Sequence, residues 1–93
     1  MSSVEINLPE ELTISQAHAL HDEFEELLNK QNPEQLVVHA SKVTRADTAG
    51  LQLMLTVVQI TNERRIELKW DKPSEKFKET AYVLGLNNAL GLH

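Results

Sequence analysis

The chain has 93 residues, 14 of them acidic and 9 basic, for a formal net charge of -5. That length makes one domain, residues 1–93, with no room for a second core. The charge argues against nucleic acid as a partner, because phosphate backbones are bound by Lys/Arg clusters, and the absence of cysteine excludes a disulfide scaffold, a thiolate nucleophile and Cys-ligated zinc.

The N-terminus, Met1-Ser2-Ser3-Val4-Glu5-Ile6, has neither the basic start nor the apolar run of a signal peptide. Elsewhere no apolar run approaches the roughly 20 residues that span a bilayer. The expectation is a soluble cytoplasmic protein with no membrane insertion. Aromatic residues are few (Phe24, Trp70, Phe77 and Tyr82), so the core has to be built from Leu, Val, Ile and Ala.

Val4-Glu5-Ile6-Asn7-Leu8 alternates apolar and polar residues, the period of a strand with one buried face. Pro9-Glu10-Glu11 breaks it, and Leu12-Thr13-Ile14 reads as a short second strand. Ser15 is placed to cap a helix whose apolar stripe is Ala17, Leu20, Phe24, Leu27 and Leu28. His18, Asp22, Glu25 and Asn29 fall on its opposite face. Asn32-Pro33 ends it, since the residue before proline is pushed away from helical angles.

Leu36 to Ala40 is a compact apolar run suited to a central strand, and Ser41 to Ala46 read as a loop. Asp47 or Thr48 then opens a helix reaching about Asn62. Arg64-Arg65 follows as a cationic helix end. Ile66 to Trp70 alternates again as a strand with one wet face. Ser74 caps a last helix carrying Phe77, Ala81 and Leu84, with Gly85 placed to close it in a left-handed cap. Successive strand–helix–strand units imply parallel pairing with right-handed crossovers. The expected architecture is α/β: one mostly parallel four-stranded sheet with helices on one face.

The informative segment joins the central strand to the middle helix. Projected at 100° per residue, Gln52, Thr56, Gln59 and Glu63 form a narrow polar stripe, with Leu55 at its border. Thr48 lies four residues before Gln52, so its hydroxyl emerges at the N-terminal end of that stripe, where the helix dipole favours negative charge. Gly50 is the odd choice, because glycine costs a helix roughly 1 kcal/mol relative to alanine. Close approach by another backbone would account for it. On spacing alone, Asp47-Thr48-Ala49-Gly50 can equally be an ordinary helix start.

Asp47-Thr48-Ala49-Gly50-Leu51, after an apolar strand and opening an apolar helix, resembles the signature loop of the STAS family, which comprises anti-sigma-factor antagonists and related domains of sulfate transporters. The similarity extends to the Leu8-Pro9 break, the strand Leu36 to Ala40 and the closing Val83-Leu84-Gly85-Leu86. The resemblance implies a STAS-like fold and a protein-binding module rather than an enzyme. In antagonists a partner kinase phosphorylates the Ser or Thr after the Asp, and Thr48 matches that position. Thr in place of the commoner Ser, and Ala49 where Ser or Thr often follows, are departures. The implied docking surface is Thr44, Arg45, Asp47, Thr48, Ala49, Gly50, Gln52 and Leu55.

Two subgroups are similar. Small STAS proteins that accompany bacterial chemotaxis kinases share Thr48-Ala49-Gly50-Leu51-Gln52-Leu53. The STAS subunit of phospholipid-transport ABC complexes shares Val43-Thr44-Arg45 ahead of Asp47-Thr48. The implied partner is accordingly an anti-sigma-factor-like or histidine-kinase-related serine/threonine kinase, or a chemotaxis component, or alternatively a transporter ATPase.

Other constellations point to no cofactor. His18, His21, Asp22 and Glu25 lack convergent metal ligands from a second element and read as exposed helical pairs. His39 reads as a half-buried, hydrogen-bonded histidine rather than a catalytic base. Neither a glycine-rich phosphate loop nor a nucleophile–base spacing is present. The acidic run Asp22-Glu23-Glu25-Glu26 reads as a solvated face able to steer a basic partner.

Overall fold

The structure, a computed structural model, describes residues 2–92. In chain order it contains β1 (Ser3–Asn7), β2 (Glu11–Leu12), α1 (Ile14–Gln31), β3 (Gln35–His39), β4 (Arg45–Ala46), α2 (Thr48–Glu63), β5 (Glu67–Asp71) and α3 (Glu75–Val83). The main sheet has three parallel strands in the order β1-β3-β5, with Glu5 opposite Val37 and Val37 opposite Lys69. The α/β class and the parallel pairing are as expected from the sequence. The strand count is not: in place of one four-stranded sheet there are three strands and a separate parallel ladder, β2-β4.

The split falls at proline. Leu8 still donates to His39 O at 2.9 Å, and the ring of Pro9 then fixes φ away from the extended strand value. The chain turns away, and Glu10 O accepts instead from the backbone N–H groups of Thr44 and Arg45, at 2.8 and 3.1 Å. Arg45–Ala46 is thereby drawn out of the expected loop into β4.

The sheet is buried on one side only. Val4, Ile6, Leu36, Val38, Leu68 and Trp70 turn inward to the helices, and Leu36 and Val38 are fully buried. Leu20, Phe24 and Leu28 of α1 meet them, as the helical stripe requires, with Ala17 and Leu27 at its margins. Phe77 of α3 packs against Trp70 with ring centroids 5.2 Å apart. The outward strand positions are polar except Val37: Glu5, Asn7, Gln35, His39, Glu67, Lys69 and Asp71.

The helix ends explain themselves locally. Ser74 caps α3 by accepting from Phe77 N–H at 3.1 Å. Gly85, at φ 73°, closes that helix: Gly85 N–H bonds Tyr82 O and Leu86 N–H bonds Ala81 O, the paired 5→2 and 6→1 pattern. The same pattern ends α2 at Arg65, a non-glycine residue at φ 57°, with Ile66 bonding Thr61 O at 2.8 Å. Asn32 takes the left-handed conformation after α1, ahead of the buried Pro33.

Gly50 is where the two layers touch. A Cβ built there would stand 2.0 Å from Leu12 O and 2.6 Å from Leu12 C. The glycine is therefore needed for close backbone approach, and the approaching backbone is the chain's own β2. Gly50, expected from the sequence at a partner-docking surface, is itself buried beneath Leu12. Gly50→Ala is expected to destabilise the fold by about 3 kcal/mol, the upper end of ordinary overpacking, because backbone rather than a side-chain tip has to move. A urea-denaturation midpoint within error of wild type would refute this.

Candidate functional site

After β3 the chain is pinned at both sides before it reaches α2. Ala40 N–H bonds Asp71 O and Ser74 N–H bonds Ala40 O, at 3.1 and 3.0 Å. Val43 is buried, and its carbonyl accepts from the Ser74 hydroxyl at 2.6 Å, which ties the loop to the start of α3. Thr44 and Arg45 are exposed; Thr44 Oγ1 donates to Glu10 O at 3.3 Å, and Arg45 Nη1 reaches Glu11 Oε2 at 3.1 Å.

Asp47 settles which residue opens α2. It is the N-cap, and its Oδ1 accepts from Gly50 N–H at 2.9 Å. Its other oxygen, Oδ2, accepts from Ile14 N–H, the first residue of α1, at 3.0 Å. This corrects the expectation for Ser15: α1 begins at Ile14, and its N-cap, Thr13, makes no side-chain capping bond. Thr13 and Ser15 instead share a hydrogen bond between their hydroxyls. One carboxylate thus serves two helix starts, and these N–H groups, Gly50 first and Ile14 next, hold it below its ordinary value of 3.8.

With Asp47 as the cap, the Thr48 side chain is left exposed at the first turn. It opens onto a groove of about 340 Å³ lined by Ala46, Asp47, Thr48, Lys76, Glu79, Thr80, Val83 and Leu84. Val83 is 74% exposed and Leu84 37%. Beside Asp47, Ile14 is 73% exposed. Lys76 lies 3.8 Å from Glu79 within this groove. Of the residues singled out in the sequence, Thr48 and Gln52 share the exposed stripe, Ala49 is half-buried, and Leu55 packs partly against the core.

Sequence reasoning missed the contributions of α1 and α3. Leu84, grouped from the sequence with Phe77 and Ala81 on the last helix, stands partly in water at the groove, unlike those two. Val83 could have been found, since it lies off the Phe77–Ala81 stripe of α3 and an apolar residue there has no core to enter. Ile14 was hidden by its placement in a strand.

On the open sheet face, His39 bonds two carboxylates: Nδ1 meets Asp71 Oδ2 at 2.6 Å, and Nε2 meets Glu5. It is half-buried and hydrogen-bonded, as expected. These bonds, Glu5 first and Asp71 second, raise its pKa above the ordinary 6.5. The helical histidines pair within α1, His18 with Asp22 at 3.6 Å and His21 with Glu25 at 3.7 Å. No group of three potential metal ligands converges among the described residues, and no described helix is long and apolar enough to cross a membrane.

Two titrations follow from these bonds. Because the folded Asp47 pKa is depressed, its contribution is present above 3.8 and is lost as pH falls through the lower folded value. Asp47→Ala should cost about 2 kcal/mol at neutral pH, the upper end of the N-cap range, since two helices lose an acceptor. Asp47→Asn should flatten the acid limb of stability against pH; an unchanged limb would remove Asp47 from this role. His39 has the opposite sign. Its folded pKa is raised, so its contribution is complete below about 6.5 and is lost as pH rises through the folded value. His39→Gln should reduce the decline in melting temperature between mildly acidic and alkaline pH, and NMR titration of the imidazole should place its pKa above that of a free histidine.

A family model described as "Mlab, STAS domain" matches residues 1–92. No curated protein sequence matches the chain significantly. Solved structures share its fold, two of them as follows. The first is the crystal structure of a sulfate transporter family protein from Wolinella succinogenes, with a TM-score of 0.77 and 14% identity; the match covers 96% of this chain and 71% of that one. The second is the NMR structure of the protein TM1081, also with a TM-score of 0.77, at 21% identity and covering 95% and 70% of the two chains.

Proposed function

The chain belongs to the STAS family, and we propose that it is a protein-binding regulatory module of bacterial signal transduction, controlled by phosphorylation of Thr48. In this reading it is a cytoplasmic protein that acts by contact rather than catalysis, like an anti-sigma-factor antagonist, and its partner is a kinase-related or chemotaxis component. The observation that carries the proposal is the exposed Thr48 at the mouth of a groove whose far wall presents Val83 and Leu84 to solvent. Exposed apolar side chains gathered round an exposed hydroxyl suit a partner contact that a charge could disrupt.

The physics of such a switch is set by Asp47. A helix N-terminus ordinarily welcomes phosphate through its free N–H groups and dipole. Here Gly50 N–H already bonds a carboxylate, and Asp47 would repel the incoming charge of about -1.5 to -2. Lys76 is the cation that lines the groove, and it stands near Glu79. In the free protein the phosphate stays in water and changes stability little. Under a docked partner it would be desolvated with little compensation, which costs several kcal/mol.

A second reading has its own support. The description of the matching family model, Mlab, and the Val43-Thr44-Arg45 pattern favour a constitutive STAS subunit that binds the ATPase of a phospholipid-transport ABC complex. Phosphate need not act in that case.

The test is the affinity of wild type, Thr48→Ala, Thr48→Glu and phosphorylated protein for one partner recovered from native extract. Thr48→Ala should keep the partner and lose no more than about 0.5 kcal/mol of stability, since Asp47 and not Thr48 is the cap. Thr48→Glu and the phosphoprotein should stay folded and bind about a hundredfold more weakly, equivalent to about 2.8 kcal/mol. Unchanged affinity in both would eliminate the switch and leave the constitutive subunit.

A further inference from the structure

A second groove, of about 470 Å³, lies away from Thr48 and shares no residue with its site. It runs between β1 and α1 and is lined by Glu5, Ile6, Asn7, Glu23, Glu26, Leu27, Lys30 and Gln31. Among the described residues β1 is an edge strand, paired with β3 alone. In a parallel ladder alternate residues turn both N–H and C=O to the same side. Ser2 O accepts from Gln35 N–H, and Leu8 N–H donates to His39 O, so the even-numbered residues face β3. The backbone groups of Ser3, Glu5 and Asn7 therefore point away from β3 at the open edge, where Glu5 and Asn7 line the groove.

We propose that this edge docks an extended, basic segment of a partner protein, which joins β1 as a further strand of the sheet. Main-chain bonds to Ser3, Glu5 and Asn7 would supply register, as in other cases of strand addition. Half the side chains of such a segment would turn toward Ile6 and Leu27, and the others toward the rim. That rim is acidic. Glu5, Glu23 and Glu26 line it; Glu26 is paired with Lys30 at 2.9 Å and Glu5 is bonded to His39, so among the described residues Glu23 is the carboxylate left to a partner. Lys or Arg in the docking segment would answer Glu23 and the acidic rim about it.

The same charges argue against a second copy as the occupant. Two β1 strands meeting antiparallel about Glu5 would oppose like carboxylates directly, which destabilises the pair. They would also bring together both sets of Glu23 and Glu26, on chains that each carry a net charge of -5.

The experiment uses the full chain and three blocked peptides of about seven residues. One alternates Lys with Val, one alternates Glu with Val, and one is the Lys–Val peptide with proline at its central position. The Lys–Val peptide should bind, weaken as salt is raised, and slow hydrogen exchange at the amides of Ser3, Glu5 and Asn7. The proline peptide keeps its charge but loses a main-chain donor, and should bind at least tenfold more weakly. The Glu–Val peptide should not bind. Glu23→Lys, an exposed change on α1, should weaken the Lys–Val peptide about tenfold while leaving the melting temperature unchanged. Equal binding by the proline peptide would reduce the effect to general charge attraction and overturn the proposal. So would no binding by the Lys–Val peptide, or protection at β5 instead of β1. Protection of Ser3, Glu5 and Asn7 that grows with protein concentration and needs no peptide would assign the edge to a second copy, and would overturn it too.

Discussion

The carboxylate of Asp47 accepts the Gly50 N–H of its own helix and the Ile14 N–H of α1, and the geometry around Thr48 depends on that pair of bonds. Two helix starts are brought to one point, where each would otherwise leave unbonded N–H groups at its first turn. The backbone N–H of Asp47 in turn bonds Leu12 O at 3.2 Å, which sets β2 across the first turn of α2. That same carbonyl occupies the space a Cβ of residue 50 would need. Capping, ladder and glycine are one constraint seen from three sides.

A division of labour between neighbours results. Asp47 does the structural work at the helix start, so the next side chain is released from it. An exposed hydroxyl can be changed or modified there without disturbing the fold beneath. Had Thr48 been the cap, any change to it would have altered stability and docking together. The sequence left Asp47 and Thr48 as alternatives for opening the helix; the structure gives the cap to one and the solvent-facing position to the other.

Much of this was legible in the residues because it rests on periodicity. The stripe Leu20, Phe24, Leu28 on α1 and the alternation in β1 and β5 report burial directly, and the one-sided sheet follows from them. Ser74 and Gly85 announce the two ends of α3 by local chemistry. What stayed hidden was tertiary. A two-residue strand has too little alternation to be seen, so β2 and β4 were read as a strand fragment and a loop. Ser15 has the chemistry of a cap, yet the acceptor for α1 comes from 33 residues away. The oddity of Gly50 was visible, but nothing in its own neighbourhood names Leu12. The exposed Val83 and Leu84 became part of the site only once α3 was placed beside α2's first turn.

The parallel register carries a further consequence, for the order in which the chain assembles. Partners across both ladders of the main sheet are 32 residues apart, and those across β2 and β4 are 34 apart. Among the described residues there is no hairpin between adjacent strands from which pairing can begin. Every strand contact requires closure of a loop of nearly the same length, and closure entropy grows only slowly with length, so it does not favour one ladder over another. The choice falls to the segments inside the loops. Formation of α1 and α2 shortens the distance each closure must bridge, from extended chain to 1.5 Å per residue. Helix formation and sheet pairing are then steps of one event, and the chain should fold at the intermediate rates of mixed α/β domains rather than at those of helical bundles.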